Sequence, residues 1–313
     1  MNPIRKLRVF LKSRELFRNW FSAGIKYYLS KYGLNVKYIN IKCCNGKEYM
    51  LTRHLYYVVV NAYYNGLING VECNDSMYLI LNIGNNKFRL HINSAVFLHD
   101  IVHENLSGGA YDDIDVGGRT VVDVGAGVGD TAVLFSLRGA RRVIALEPYP
   151  RLYGEALLNI RANGLADRVV LVNAGLGATD GEVCADFSNL EEYAPFKPSS
   201  RCDGKVRMYA LRTLIKEFEV EEGSVLKMDC EGCEYEAVLN ADPGDLAVFS
   251  QVIIEYHNGY REIKRHLEAA GFSTEVKPIR SVAIPSESQV CVVARRWPAF
   301  FLMTCSPHFG SPL

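Results

Sequence analysis

The chain has 313 residues, 49% of them apolar and 22% charged, and its formal net charge is zero. This is ordinary globular composition, long enough for one large domain or a catalytic domain with a modest extension. The balanced charge excludes a global pull toward nucleic acid but leaves a local patch open. No apolar run approaches the roughly 18 residues of a membrane-spanning helix. The start, MNPIRKLRVFLKSRELFRNWF, has no clean apolar core or small-residue cleavage site, so no signal peptide is read there. Nine scattered cysteines, an odd number, predict reduced thiols and a cytoplasmic protein.

Residues 1–35 are predicted as a basic amphipathic helix. Leu7, Phe10, Leu11, Phe17, Trp20, Phe21 and Tyr28 recur at roughly helical spacing among basic side chains. Three partners suit it: the rest of the chain or another subunit, a membrane surface, or RNA. Residues 36–100 are predicted as a small β-rich accessory region. VKYINIKCCNGKEYML, LYYVVVNAYYNGLINGV and MYLILNIGNNKFRLHI are rich in Tyr, Ile and Val and broken by Asn-Gly and Gly-Asn-Asn. Vicinal Cys43 and Cys44 are read there as buried apolar fillers.

From 101 to 297 strands and helices alternate. TVVDVG, RRVIALEP, DRVVLVNAG, GSVLKMDCEG and SQVIIEYH read as buried strands, and STEVK with SQVCVVARR as a closing hairpin. GDTAVLFSLRG, PRLYGEALLNIRANG, RTLIKEFEV, CEYEAVLN and GYREIKRHLEAAGF are the helices between them. Such alternation with short connections predicts an α/β fold with an open, doubly wound, mostly parallel sheet. A ligand then lies across the carboxyl ends of the strands, where the order reverses. Residues 298–313 show no element.

The run from Asp123 to Gly129 is acid-x-G-x-G-x-G, with Gly125, Ala126, Gly127 and Gly129 in its turn. A dinucleotide fingerprint requires a third glycine where this chain has Asp130. An acid facing the ligand suits a cofactor with a cationic end, whose ammonium Asp123 would meet. The amides opening the next helix, at Asp130 and Thr131, would take its carboxylate. Glu147, followed by Pro148, ends the second strand, where a carboxylate can accept both ribose hydroxyls. The fourth strand runs into Asp229, Glu231 and Glu234. Three carboxylates this close repel unless a positive charge or a proton is shared, although Glu231 and Glu234 also suit a helix N-terminus. Cys230 and Cys233 form C-x-x-C without a second pair, so a zinc or redox site is not the leading reading. The fifth strand ends at Glu255 and His257, the latter a candidate base. A magnesium ion on Asp229, Glu231 and Glu255 is the alternative account of the acids. Segment 186–206, with Tyr193, Phe196, Lys197 and Arg201, is a long polar loop that suits either acceptor contact or a plain connection.

The glycine run and Glu147 resemble class I S-adenosylmethionine-dependent methyltransferases. Together with LEPYP, LKMDCEGCEYEAVL and the lead-in HENLSGGAYDDIDVGGRTVVDVG, which carries Glu104 and Tyr111, they resemble the FkbM family across about 100–260. That resemblance implies a seven-stranded Rossmann-like sheet and S-adenosylmethionine as cofactor. It also implies methyl transfer to a hydroxyl of a small-molecule, sugar or glycan-type acceptor. It places Asn173 and Ala174 near the adenine and Asp229, Glu231 and Glu234 at the catalytic end. An RNA methyltransferase with the same cofactor, and a non-catalytic cofactor-binding scaffold, are the alternative readings.

Overall fold

The structure is a computed structural model that describes residues 3–33, 35–102, 110–185, 187, 202–256, 259–278 and 290–296. Its main sheet contains β6 (Thr120–Val124), β7 (Arg142–Leu146), β8 (Val169–Val172), β12 (Ser224–Met228), β13 (Phe249–Tyr256), β14 (Ser273–Pro278) and β15 (Val290–Arg295). The order is β14-β15-β13-β12-β6-β7-β8, so the chain runs one way from β6 and returns to its other side at β12. β12 is parallel to β6 and to β13, and β7 is parallel to β8. β15 is antiparallel to both its neighbours, closing the predicted hairpin. Every residue of β6 and of β12 is buried. This matches the mainly apolar sequences TVVDV and SVLKM, each with a single buried charge.

The chain forms two compact units, 1–112 with 126–173, and 113–125 with 174–313. The first opens with α1 (Pro3–Lys12) and α2 (Trp20–Leu29), followed by a hairpin of β1 (Tyr38–Lys42) and β2 (Glu48–Thr52) and then α3 (Arg53–Tyr64). The single helix expected over 1–35 is thus two helices. A 3-10 turn at Ser13–Glu15 separates them, the Ser13 hydroxyl donating to the Phe10 carbonyl at 2.6 Å. Phe17, fully buried, is drawn out of helix by a bridge to Cys43.

The expected β character of LYYVVVNAYY is also corrected, because these residues form α3. The Thr52 side chain caps α3 by accepting from the Leu55 amide at 3.2 Å. Leu55, Tyr56, Val59, Val60 and Ala62 fall on one buried stripe. Helical period outweighed the strand preference of Val and Tyr. β3 (Gly70–Cys73), β4 (Met77–Ile83) and β5 (Asn86–His91) then form an antiparallel sheet, followed by the one-turn α4 (Leu98–Asp100).

The rest of the first unit holds α5 (Asp130–Leu137) and α6 (Pro150–Ala162). α6 is pinned by buried polar groups. Asn159 donates to the Val128 carbonyl at 2.8 Å and accepts from the His91 amide at 2.6 Å. Glu155 sits 2.7 Å from His91 Nδ1 and accepts from Ser94 and Asn93. Burial alone would raise the Glu155 carboxyl, but these bonds outweigh it and hold it below its ordinary range.

The second unit adds a three-stranded sheet ordered β10 (Gly181–Ala185), β11 (Gly204–Ala210), β9 (Ala174–Gly177). Its helices are α7 (Leu211–Glu217), α8 (Cys233–Leu239), α9 (Pro243–Leu246) and α10 (Arg261–Ala269). The expectation of reduced thiols is overturned. Disulfides join Cys43 to Cys73, Cys184 to Cys202 and Cys230 to Cys233. Such bonds persist in oxidising surroundings, so the cysteine argument for a cytoplasmic location lapses. Cys43 is buried as a disulfide half, while Cys44 is exposed and free, so the filler reading fails for both.

Candidate active site

The turn after β6 and the end of β7 are tied together through Glu147. This side chain is only 3% exposed. Oε2 accepts from the Gly127 amide at 2.8 Å and Oε1 from the Tyr149 amide at 2.8 Å. The Ala126 amide, itself buried, donates to the Leu146 carbonyl at 3.0 Å, and the Glu147 amide to the Val172 carbonyl at 3.0 Å. Asn173, an exposed residue, braces the same loop, its amide nitrogen donating to the carbonyls of Glu147 at 2.8 Å and half-buried Pro148 at 3.1 Å. Burial and the neighbouring Glu147 charge push the Tyr149 phenol up.

The three glycines have separate reasons. Gly127 has φ +53°, and a Cβ there would meet nothing within 4 Å, so backbone conformation requires glycine beside open space. Gly129, at φ +79°, precedes α5, and a Cβ on it would come within 3.0 Å of Ala156 in α6. It therefore performs the close-packing duty that a dinucleotide fingerprint gives to its third glycine, here the Asp130 position. Asp130 and Thr131 are buried in the first turn of α5. In the second unit, a Cβ on Gly125 would stand 1.8 Å from the Asp229 carbonyl oxygen, which no small shift relieves.

Asp123 is fully buried, and its Oδ1 lies 2.9 Å from Lys227 Nζ, which is equally buried. Lys227 also donates to the Gly125 carbonyl at 2.9 Å. The sequence predicts a cofactor ammonium near Asp123; within the chain itself, Lys227 lies beside it. Lys227 is the functional candidate that sequence reasoning missed. Its signal was a single charge inside the apolar run SVLKM, since a lysine is almost never fully buried unless paired.

Beyond β12, the Asp229 amide donates to the Val124 carbonyl at 3.0 Å. Asp229 and Glu231 are half-buried and Glu234 fully buried. Glu234 Oε2 accepts from the Gly232 amide at 2.9 Å and lies 3.3 Å from Cys230 Sγ. The three-carboxylate cluster is therefore two partly exposed acids and one taken up by the turn. Glu231 has φ +57°, a left-handed conformation that costs a non-glycine residue about 1–2 kcal/mol. Gly232 follows at φ +121°. Cys230, Cys233 and Glu234 are the sole metal-ligand grouping among the described residues, and its two sulfurs are bonded to each other. Ala174 begins β9 and is buried. Glu255 is half-buried on β13. His257, Glu104 and the loop residues Tyr193, Phe196, Lys197 and Arg201 lie outside the described residues.

A family model described as the methyltransferase FkbM domain matches residues 123–274, from Asp123 to β14. Residues 123–274 of the chain are similar to that domain. The match contains Glu147, Lys227 and the Asp229–Glu234 turn. No curated protein matches the chain. Among solved structures it is similar to the methyltransferase FkbM of Methylobacillus flagellatus KT, at 14% identity and TM-score 0.41, over 65% of this chain and 52% of that one. It therefore spans about half the length of that protein. It is also similar to a putative transferase of Pyrococcus horikoshii, at 16% identity and TM-score 0.41, over 93% and 98% of the two chains. A third is TYW2 of M. jannaschii in complex with AdoMet, at 15% identity and TM-score 0.37, over 73% and 93%.

Proposed function

We propose that the FkbM domain uses S-adenosylmethionine to methylate a hydroxyl of a small-molecule, sugar or glycan-type acceptor. The observation that carries this reading is the double amide bonding of buried Glu147 beside the open space at Gly127. A carboxylate has about four lone-pair sites, so two ribose hydroxyls can join two amides on one acid held in place beforehand. Ala126, Gly127, Gly129, Asp130, Thr131, Pro148 and Asn173 supply the backbone and edges around it. When bound, the sulfonium supplies an activated methyl group with a good leaving group. The protein's share is alignment, exclusion of water and removal of the hydroxyl proton.

Glu231 is our candidate for the base. It is partly exposed and strained, and strain of this kind clusters at functional positions. Asp229, beside it, is the second polar contact. Glu234 acts as a positioning residue by holding the Gly232 amide, and His257 is the alternative base. Asp123 and Lys227 form an internal ion pair that sets the strand ends.

Purified protein, methyl-labelled S-adenosylmethionine and fractionated cell extract test the reading. Label is expected in metabolite, glycan or lipid fractions, and it should be lost in Glu231→Gln with cofactor binding retained. Unchanged turnover in that variant would remove Glu231 from the mechanism, and label confined to RNA would overturn the acceptor class.

A further inference from the structure

Nine of the eleven exposed large apolar side chains among the described residues lie before residue 51. Six form two helical stripes: Ile4, Leu7 and Leu11 on α1, and Phe21, Ile25 and Leu29 on α2, with Ile4, Leu7 and Phe21 each more than half exposed. These helices have already met their core. Val9 of α1 and Ala23, Gly24 and Tyr27 of α2 are buried. Tyr27 packs its ring 5.4 Å from Tyr56 and 6.1 Å from Tyr57 of α3. Phe10 closes the angle between the helices, 5.1 Å from Trp20 and 5.9 Å from Phe21. The outward stripes are therefore a second apolar face, and contiguous exposed apolar surface marks an interaction site.

Charge identifies the occupant. The first 50 residues hold eleven lysines and arginines against two glutamates, in a chain whose formal charge is zero. Among the described residues only Lys12, Lys42 and Lys47 of these cations make ion pairs. Arg5, Arg8 and Lys12 alternate with the α1 stripe, and Lys26 adjoins Ile25. An open groove at the end of α2 adds Lys37 beside Lys26, Leu29 and Tyr38.

We propose that the α1–α2 hairpin lies in the headgroup layer of an anionic lipid bilayer, with its apolar stripes among the acyl chains and its cations on the lipid phosphates. Apolar residues flanked by Lys and Arg on one helical surface are the pattern of an interfacial helix. No described helix is long and apolar enough to cross a membrane. A second copy of the chain is a poorer occupant, because a two-fold interface would set this basic patch against itself. RNA would satisfy the cations and leave the stripes in water. The inference stands apart from the methyl-transfer reading.

The test is flotation of the full chain with vesicles of phosphatidylcholine, with and without phosphatidylglycerol. Binding is expected only with phosphatidylglycerol and should weaken near 1 M salt, where screening is nearly complete at about 3 Å. Phe21→Asp combined with Ile25→Asp is expected to lower partitioning at least about tenfold, with folding checked by the melting profile because Phe21 also packs 5.9 Å from Phe10. Arg8→Glu with Lys26→Glu should abolish the lipid preference and is the second variant should the first not fold. Failure of the wild-type chain to float overturns the proposal, as does flotation indifferent to both variants. Wild-type self-association lost in Phe21→Asp/Ile25→Asp, or RNA binding lost only in Arg8→Glu/Lys26→Glu, would overturn it in favour of those occupants when vesicles are not bound.

Discussion

Asp123 and Glu147 make an instructive pair. Both are carboxylates at the carboxyl ends of sheet strands, and both are essentially buried. Asp123 is compensated by a side chain, Lys227 at 2.9 Å, while Glu147 is compensated by two backbone amides at 2.8 Å each. The first arrangement is a closed ion pair whose cation also holds the Gly125 carbonyl. The second shapes a loop, the one carboxylate joining the Gly127 and Tyr149 amides. Equal position and burial therefore do not imply equal compensation: one acid faces a lysine side chain and the other is held by backbone amides.

Removing the cation should have the largest effect. Lys227→Met leaves Asp123 buried with its charge uncompensated and should cost about 3–5 kcal/mol in denaturant unfolding. Adding Asp123→Leu should recover most of that loss, since an apolar pair in the same space is often neutral or better. Failure to recover would mean that the pair does more than neutralise itself.

Glu147→Gln puts an NH2 group against an amide donor and should cost about 1–3 kcal/mol, together with cofactor affinity. A stability loss without an affinity loss would reduce Glu147 to a loop staple.

A further acid, half-buried Glu155, lies 2.7 Å from His91 Nδ1. Its carboxyl is held low in the folded state, burial being outweighed by the bonds from His91, Asn93 and Ser94. That contribution is present above the ordinary carboxylate range and is lost as pH falls through the lower folded value. Glu155→Gln should therefore cost about 1–2 kcal/mol near neutrality, and the gap to wild type should close as the pH falls below the ordinary carboxylate range. A gap that widened in acid would reverse this assignment.

The smallest effect has the opposite sign. Glu231→Gly relieves a left-handed backbone and should stabilise by roughly 0.5–1 kcal/mol while abolishing turnover. Loss of stability would show that the side chain supports the turn.

The parallel strands were legible because β6 and β12 are buried on both faces and so read as mainly apolar runs, each holding a single charge. The glycine turn was legible because residues 125, 127 and 129 all take positive φ, which few other residues tolerate. Partners were not legible. Nothing in spacing distinguishes Asp123 from Glu147, because Lys227 lies 104 residues from one and backbone amides are common to all residues. Glu234 read as one of three equivalent acids until the Gly232 amide claimed it. α3 was misread because Tyr and Val composition was weighted above the period of Leu55, Tyr56, Val59 and Val60. Two of the three disulfides depend on approaches across 30 and 18 residues that no local pattern encodes, whereas Cys230–Cys233 falls within the C-x-x-C.

Calorimetric titration of S-adenosylmethionine into the wild-type chain and Glu147→Gln, with NAD as control, tests the account most directly. It predicts binding of S-adenosylmethionine, at least about tenfold weaker in the variant, as loss of a charged hydrogen bond implies, and no binding of NAD. Equal affinity in the variant, or binding of NAD alone, would contradict it.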